Sequence, residues 1–157
     1  MKNVDTIDKT IMTKLTKNFT LEELTASATA KKLGVSNMPS PEIRKNLEKL
    51  CTDILQPLRD FYGKPICVGS GYRCPEVNEA VGGVKNSDHM YGCAADITSM
   101  EDDFQHNAEL FAYAVVAMRA GYIKNVKQII DEKNLNWIHI SFQDGRTTKR
   151  NQLTYIR

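Results

Sequence analysis

Residues 69–92 string together glycine, serine, asparagine and proline between two short apolar segments, at 66–68 and 94–97. The stretch leaves room for one helical turn, near 75–80, and otherwise reads as a single long loop. An irregular connection of that length inside a compact domain is usually a binding or catalytic loop. The chain has 157 residues, enough for one core and no second sizeable one. The loop must therefore be carried by a single domain.

The elements around it can be read from caps and periodicity. Thr20 and Glu23 fit a capping box, with Phe19 and Leu24 placed as a hydrophobic staple, so a short helix opens there. Ser40 and Pro41 supply an N-cap and a first-turn proline. Ile43, Leu47, Leu50, Cys51, Ile54, Leu55 and Leu58 then recur at helical spacing. Pro57 should kink this helix, and Gly63 should end it. A second long helix is predicted over 104–120, with Phe111, Ala114, Val115 and Met118 on its apolar face and Gly121 closing it. Short strands are predicted at 66–68, 94–97, 126–132 and 137–142, the last two joined by a turn at 133–136. This order predicts an α+β single domain whose small antiparallel sheet carries the site and packs against helices. Its limits are placed at 19–145. Residues 1–18 are weakly patterned and read as an arm or an extra helix, and 146–157 as a basic C-terminal tail.

Several function classes are disfavoured. Hydrophobic residues make up 41% and charged residues 25%, which excludes a generally disordered chain. No apolar run approaches the roughly 20 residues needed to span a bilayer. The polar start has no apolar h-region, so no signal peptide and a cytoplasmic site of synthesis are expected. A net charge of +2 gives no argument for nucleic acid. Arg146, Lys149, Arg150 and Arg157 form the one basic run, which reads more simply as a solvated terminus than as a polyanion-binding arm. Cys51, Cys67, Cys74 and Cys93 form no CxxC pair and are expected to be reduced, mostly buried small hydrophobes.

Three histidines remain for chemistry. His106 follows an acidic stretch and reads as a solvated helix-start residue. His89 lies late in the long loop, and Asp96 enters the next strand among the small residues Gly92, Cys93, Ala94 and Ala95. His139 lies in a segment of period two, with Trp137 and Ser141 on its face and Ile138, Ile140 and Phe142 on the other. If the core takes the isoleucines, His139 faces a cleft. Two histidines and a carboxylate make a three-ligand zinc set with one open position. Against this stands the ordinary alternative of packed, hydrogen-bonded histidines, and no HEXXH helix is present to decide the matter.

The string from Ser70 to Ile97, SGYRCPEVNEAVGGVKNSDHMYGCAADI, resembles the zinc peptidases of family M15, subfamily A. That family includes D-Ala-D-Ala carboxypeptidases and phage L-Ala-D-Glu endopeptidases of the Hedgehog/DD-peptidase fold. The pattern S-G-Y-R, S-x-H-x-x-G-x-A-x-D and a late W-x-H occurs here in order. The lead-in pieces FTLEEL, Asn37-Met38-Pro39 and Leu55-Gln56-Pro57-Leu58-Arg59 also match. The resemblance implies one zinc ion held by His89, Asp96 and His139. It implies that Arg73 binds a substrate carboxylate or carbonyl, for which a guanidinium fork is suited. The alternative for Arg73 is a salt bridge holding the loop. Ser87 either hydrogen-bonds the substrate or orders the loop. Tyr72 and Trp137 either wall the cleft or simply pack.

Many members carry an acid three positions before the last histidine, where this chain has Asn136. Short phage-like members tend instead to place a glutamate at the end of the preceding strand. Gln128-Ile129-Ile130-Asp131-Glu132 fits that arrangement, so Glu132 is the expected general base. Asp131, on the opposite strand face, or no base at all, are the alternatives. The implied function is hydrolysis of peptidoglycan stem peptides, with a zinc-activated water as nucleophile. The implied agent is a monomer acting without nucleic acid or membrane, a bacterial cell-wall enzyme or a phage endolysin released by a holin. The competing reading is a non-catalytic zinc-containing binding or phage structural module of the same fold, kept open by Asn136. A thiol enzyme using Cys74 or Cys93 is the third and least supported reading.

Overall fold

The structure is a computed structural model that describes residues 12–157. The arm or helix expected over 1–18 lies mostly outside the described residues. Within 12–18 the chain forms no helix, and Lys14 bridges to Thr20.

Short helices α1 (Leu21–Thr25) and α2 (Ala28–Leu33) come first, then α3 (Pro41–Leu50). Thr20 Oγ1 accepts from Glu23 N at 3.2 Å, and Ser40 Oγ accepts from Ile43 N at 3.3 Å, so both expected caps form. Helix α2 was not expected. Its signals are the Ser27 cap and Gly34 in the left-handed region at its end.

The helix begun at Pro41 runs on past Pro57. It widens into one π-helical stretch, Cys51–Leu55, and continues as α4 (Gln56–Tyr62). Proline lacks the N–H that would bond the carbonyl four residues earlier, at Asp53. That carbonyl is taken instead by Lys124 N, at 2.9 Å. The wider turn thus accommodates the proline, and the freed acceptor anchors the segment before β3.

Among the described residues five strands make one sheet: β1 (Ile66–Ser70), β2 (Ala94–Ser99), β3 (Val126–Glu132), β4 (Trp137–Phe142) and β5 (Gln152–Ile156), in the order β1-β2-β4-β3-β5. All neighbours are antiparallel except β3 and β5. The segment expected as a solvated basic tail therefore ends in a parallel edge strand. Most of its side chains are exposed, so backbone pairing to β3 holds it. Between β1 and β2 run α5 (Pro75–Ala80) and a single 3₁₀ turn, Asp88–Tyr91.

The sheet has two unlike faces. Ala95, Ile97, Ile129, Ile138 and Ile140 face the core, where α6 (Phe104–Ala120) packs on β2, β3 and β4. The other face carries Asp96, Ile130 and His139 in one row and Glu132 with Trp137 in the next. Among the described residues no helix is long and apolar enough to cross a membrane.

Helix α6 buries Asn107, Leu110, Ala114, Ala117 and Met118, whereas Phe111 and Val115 of the expected face are only half-buried. The buried stripe starts on a polar residue. Asn107 Oδ1 accepts from Ser99 N (2.9 Å) and Ser99 Oγ (3.0 Å), and its Nδ2 donates to Asp102 Oδ1 (3.2 Å) and Leu135 O (2.9 Å). One amide thus ties the end of β2 to α6 and to the β3–β4 turn. Asn107→Ala strands buried backbone partners and is expected to cost about 2–4 kcal/mol, read as a lower urea midpoint. A loss under about 1 kcal/mol would mean that water replaces the amide.

Candidate metal centre

Pairing in the sheet sets Asp96 directly opposite His139. His89 reaches the same point from the 3₁₀ turn. Its Nε2 lies 3.2 Å from Asp96 Oδ1, and His139 Nδ1 lies 3.0 Å from that same oxygen. The three side chains offer ligand atoms that all lie within 4.8 Å of one another.

The backbone orients His89. Its Nδ1 is 2.7 Å from Gly71 O, and a carbonyl can only accept, so Nδ1 carries the proton. In the neutral ring Nε2 is then a lone pair facing a carboxylate oxygen. A proton on Nε2 or a metal ion between the two atoms makes that approach favourable. The donors of a tetrahedral zinc site, each about 2.0–2.2 Å from the metal, lie about 3.3–3.6 Å apart. The observed spacings are close to that, and two imidazoles with one carboxylate are an ordinary zinc donor set. These residues fit a divalent metal. Burial alone would raise the Asp96 carboxyl, but hydrogen bonds with His139 and His89 and their charge hold it well below the usual range.

Gly71 must be glycine. A Cβ there would sit 2.2 Å from Leu24 O, the carbonyl that accepts from Tyr72 N at 2.7 Å. This close approach sets the Gly71 carbonyl under His89. Gly71→Ala is expected to shift that carbonyl and weaken metal binding by about 10–100-fold, the usual cost of losing an outer partner. Competition against a chromophoric chelator measures it, and unchanged affinity would refute the link.

The centre lies in a cleft of about 650 Å³ whose lining includes Arg73, Ser87, Glu132 and Trp137. Arg73 Nη2 donates to Asp96 Oδ2 and its Nε to Ser70 Oγ, both at 2.9 Å. Its Nη1 makes no hydrogen bond among the described residues. Ser87 is buried and its Oγ accepts from His89 N at 3.3 Å, so it orders the turn. Burial pushes the Glu132 carboxyl above its ordinary value. Asp131 faces the core, where it accepts from Leu135 N (2.7 Å) and Arg157 Nη1 (3.0 Å). Asn136 borders a different depression, with Asp102 and Phe104. Tyr72 is buried and borders a second hollow that meets the cleft at Arg73 and Val81. His106 bonds Asp103 at the start of α6. Burial pushes the Cys93 thiol up to about 12, which removes it as a nucleophile.

Sequence reading missed Lys127, Gln128, Lys133 and Lys149, which also line the cleft. A bulge in β3 between Val126 and Gln128 brings the consecutive residues Lys127 and Gln128 to one side. Regular alternation would have separated them.

A family model described as Peptidase M15 matches residues 17–141. A zinc D-Ala-D-Ala carboxypeptidase of Streptomyces albus G is 47% identical over 51 residues, which are 32% of this chain and 20% of the relative. The match thus spans about a fifth of that relative's length.

Proposed function

The chain belongs to the peptidase M15 family, and on that footing we propose that it is a zinc-dependent peptidase that hydrolyses peptidoglycan stem peptides. The cleavage would be of the D,D-carboxypeptidase or L-Ala-D-Glu endopeptidase type. The observation that carries the reading is the convergence of His89, Asp96 and His139 in a cleft that also holds Glu132.

One zinc ion held by these three residues would supply an acidified water and polarise the scissile carbonyl. Glu132 accepts the proton of the attacking water and delivers it to the leaving amine. Its raised affinity for protons, caused by burial, suits that exchange. Arg73, braced by Ser70 and Asp96, offers its Nη1 edge to a substrate carboxylate and so orients the peptide. Lys133 and Lys149 line the same cleft and enter no ion pair among the described residues, which favours an acidic peptide. Trp137 supplies an apolar wall, and Tyr72 walls the adjoining hollow. Release to the cell wall by a holin, as a phage endolysin, is consistent with this chemistry.

The reading of a non-catalytic module drew on Asn136. That residue stands outside the cleft, and Glu132 stands inside it, which supports the enzyme. The test is release of new amino groups from purified peptidoglycan. Release should stop on chelation and return with one equivalent of zinc. Release that persists through chelation would refute the metal's role.

A further inference from the structure

His89 stands on a single 3₁₀ turn, Asp88–Tyr91, and such turns hold themselves weakly. Contacts from elsewhere must fix it. Both end residues of the turn meet the same side chain. Arg146 Nη2 donates to Asp88 Oδ1 at 2.8 Å, and the Arg146 guanidinium lies 3.7 Å from the centre of the Tyr91 ring. Asp144 holds Arg146 in turn, through its Nε and through its backbone N–H at 3.1 Å. Asp88 is buried and takes a second cation, Lys127 Nζ, at 2.7 and 2.9 Å. This is the lysine that the β3 bulge brings to the cleft. The backbone of the turn continues the chain of contacts, since Cys93 N donates to Asp88 O at 3.0 Å and Arg73 N to His89 O at 3.1 Å.

We propose that Arg146 is a positioning residue for the metal centre: it clamps Asp88 and Tyr91 and thereby fixes the direction of His89. The segment after β4 is then a working part of the site. The proposal rests on His89, Asp96 and His139 being metal ligands. A guanidinium suits the task because one planar group can pair with a carboxylate and stack on a ring at once. Lysine at 146 would keep the ion pair and lose the stacked plane.

The test is zinc affinity, measured by competition with a chromophoric chelator and set beside the melting temperature of the metal-free protein. Arg146→Ala should bind zinc about tenfold more weakly, in line with the loss of an outer partner. Arg146→Lys should fall between it and the parent. Arg150→Ala, which removes a nearby exposed arginine, should match the parent. Asp88→Asn is nearly isosteric and guards against misfolding of the alanine variant; it should also weaken zinc. The double variant should lose no more than the worse single, because both act through one clamp. Parent affinity in Arg146→Lys and Asp88→Asn, or in a folded Arg146→Ala, would overturn the proposal. A parent protein that binds no zinc would overturn the metal reading itself.

Discussion

Glu132→Gln is expected to lower kcat on a muropeptide substrate by about 10²–10⁴-fold, the usual contribution of a positioned acid–base group. The amide keeps the shape of the side chain and cannot take a proton. Glu132 is absent from the converging ligand set, so zinc stoichiometry should stay at one. Asp131→Asn provides the contrast. Asp131 is buried on the core face and caps the β3–β4 turn at Leu135 N, so its loss should appear in stability. Its direct effect on turnover should be small. If Glu132→Gln retains full turnover while Asp131→Asn abolishes it in a folded protein, the base has been misassigned.

The second large effect is expected at His139. Its Nδ1 and His89 Nε2 approach one carboxylate oxygen from two elements, the strand β4 and the 3₁₀ turn. His139→Ala removes a metal donor outright. The loss in zinc affinity should exceed the about 10–100-fold that outer partners cost, and activity should vanish with the metal. Zinc binding stabilises a folded protein by mass action. The parent should therefore melt higher with zinc than with chelator, and His139→Ala should melt at the same temperature in both. A variant that binds zinc as the parent does would remove His139 from the ligand set.

Much of the architecture is legible in the sequence where a single local signal decides it. The caps at Thr20 and Ser40, the strand of period two at Trp137–Phe142 and the motif from Ser70 to Ile97 are of that kind. Other features depend on partners distant in the chain. Pro57 signals a disturbed helix, but the sequence does not show that Lys124 N takes the Asp53 carbonyl or that the stretch before the proline is π-helical. Asn107 starts the buried stripe of α6, and a count of apolar residues alone finds Ala114 and Met118 of that stripe but misses Asn107. Strand β5 hides in a basic composition because pairing with β3, and little burial, defines it.

The site divides in the same way. His89, Asp96 and His139 are legible because their residue types are those that a divalent metal would need, and few others would serve. The clamp at Asp88, Lys127 and Arg146 was not. Its members lie 39 and 58 residues from Asp88, and they meet only through the β3 bulge and the return of the chain after β4.

We propose above that a metal held by His89, Asp96 and His139 makes this chain a peptidase of cell-wall peptides. Mass spectrometry of purified muropeptides incubated with the zinc-loaded protein, beside a chelated sample, tests it most directly. A new fragment is expected in the first sample alone, and its mass identifies the bond that is cut. Intact muropeptides in both samples, from protein shown to hold one zinc, would contradict it.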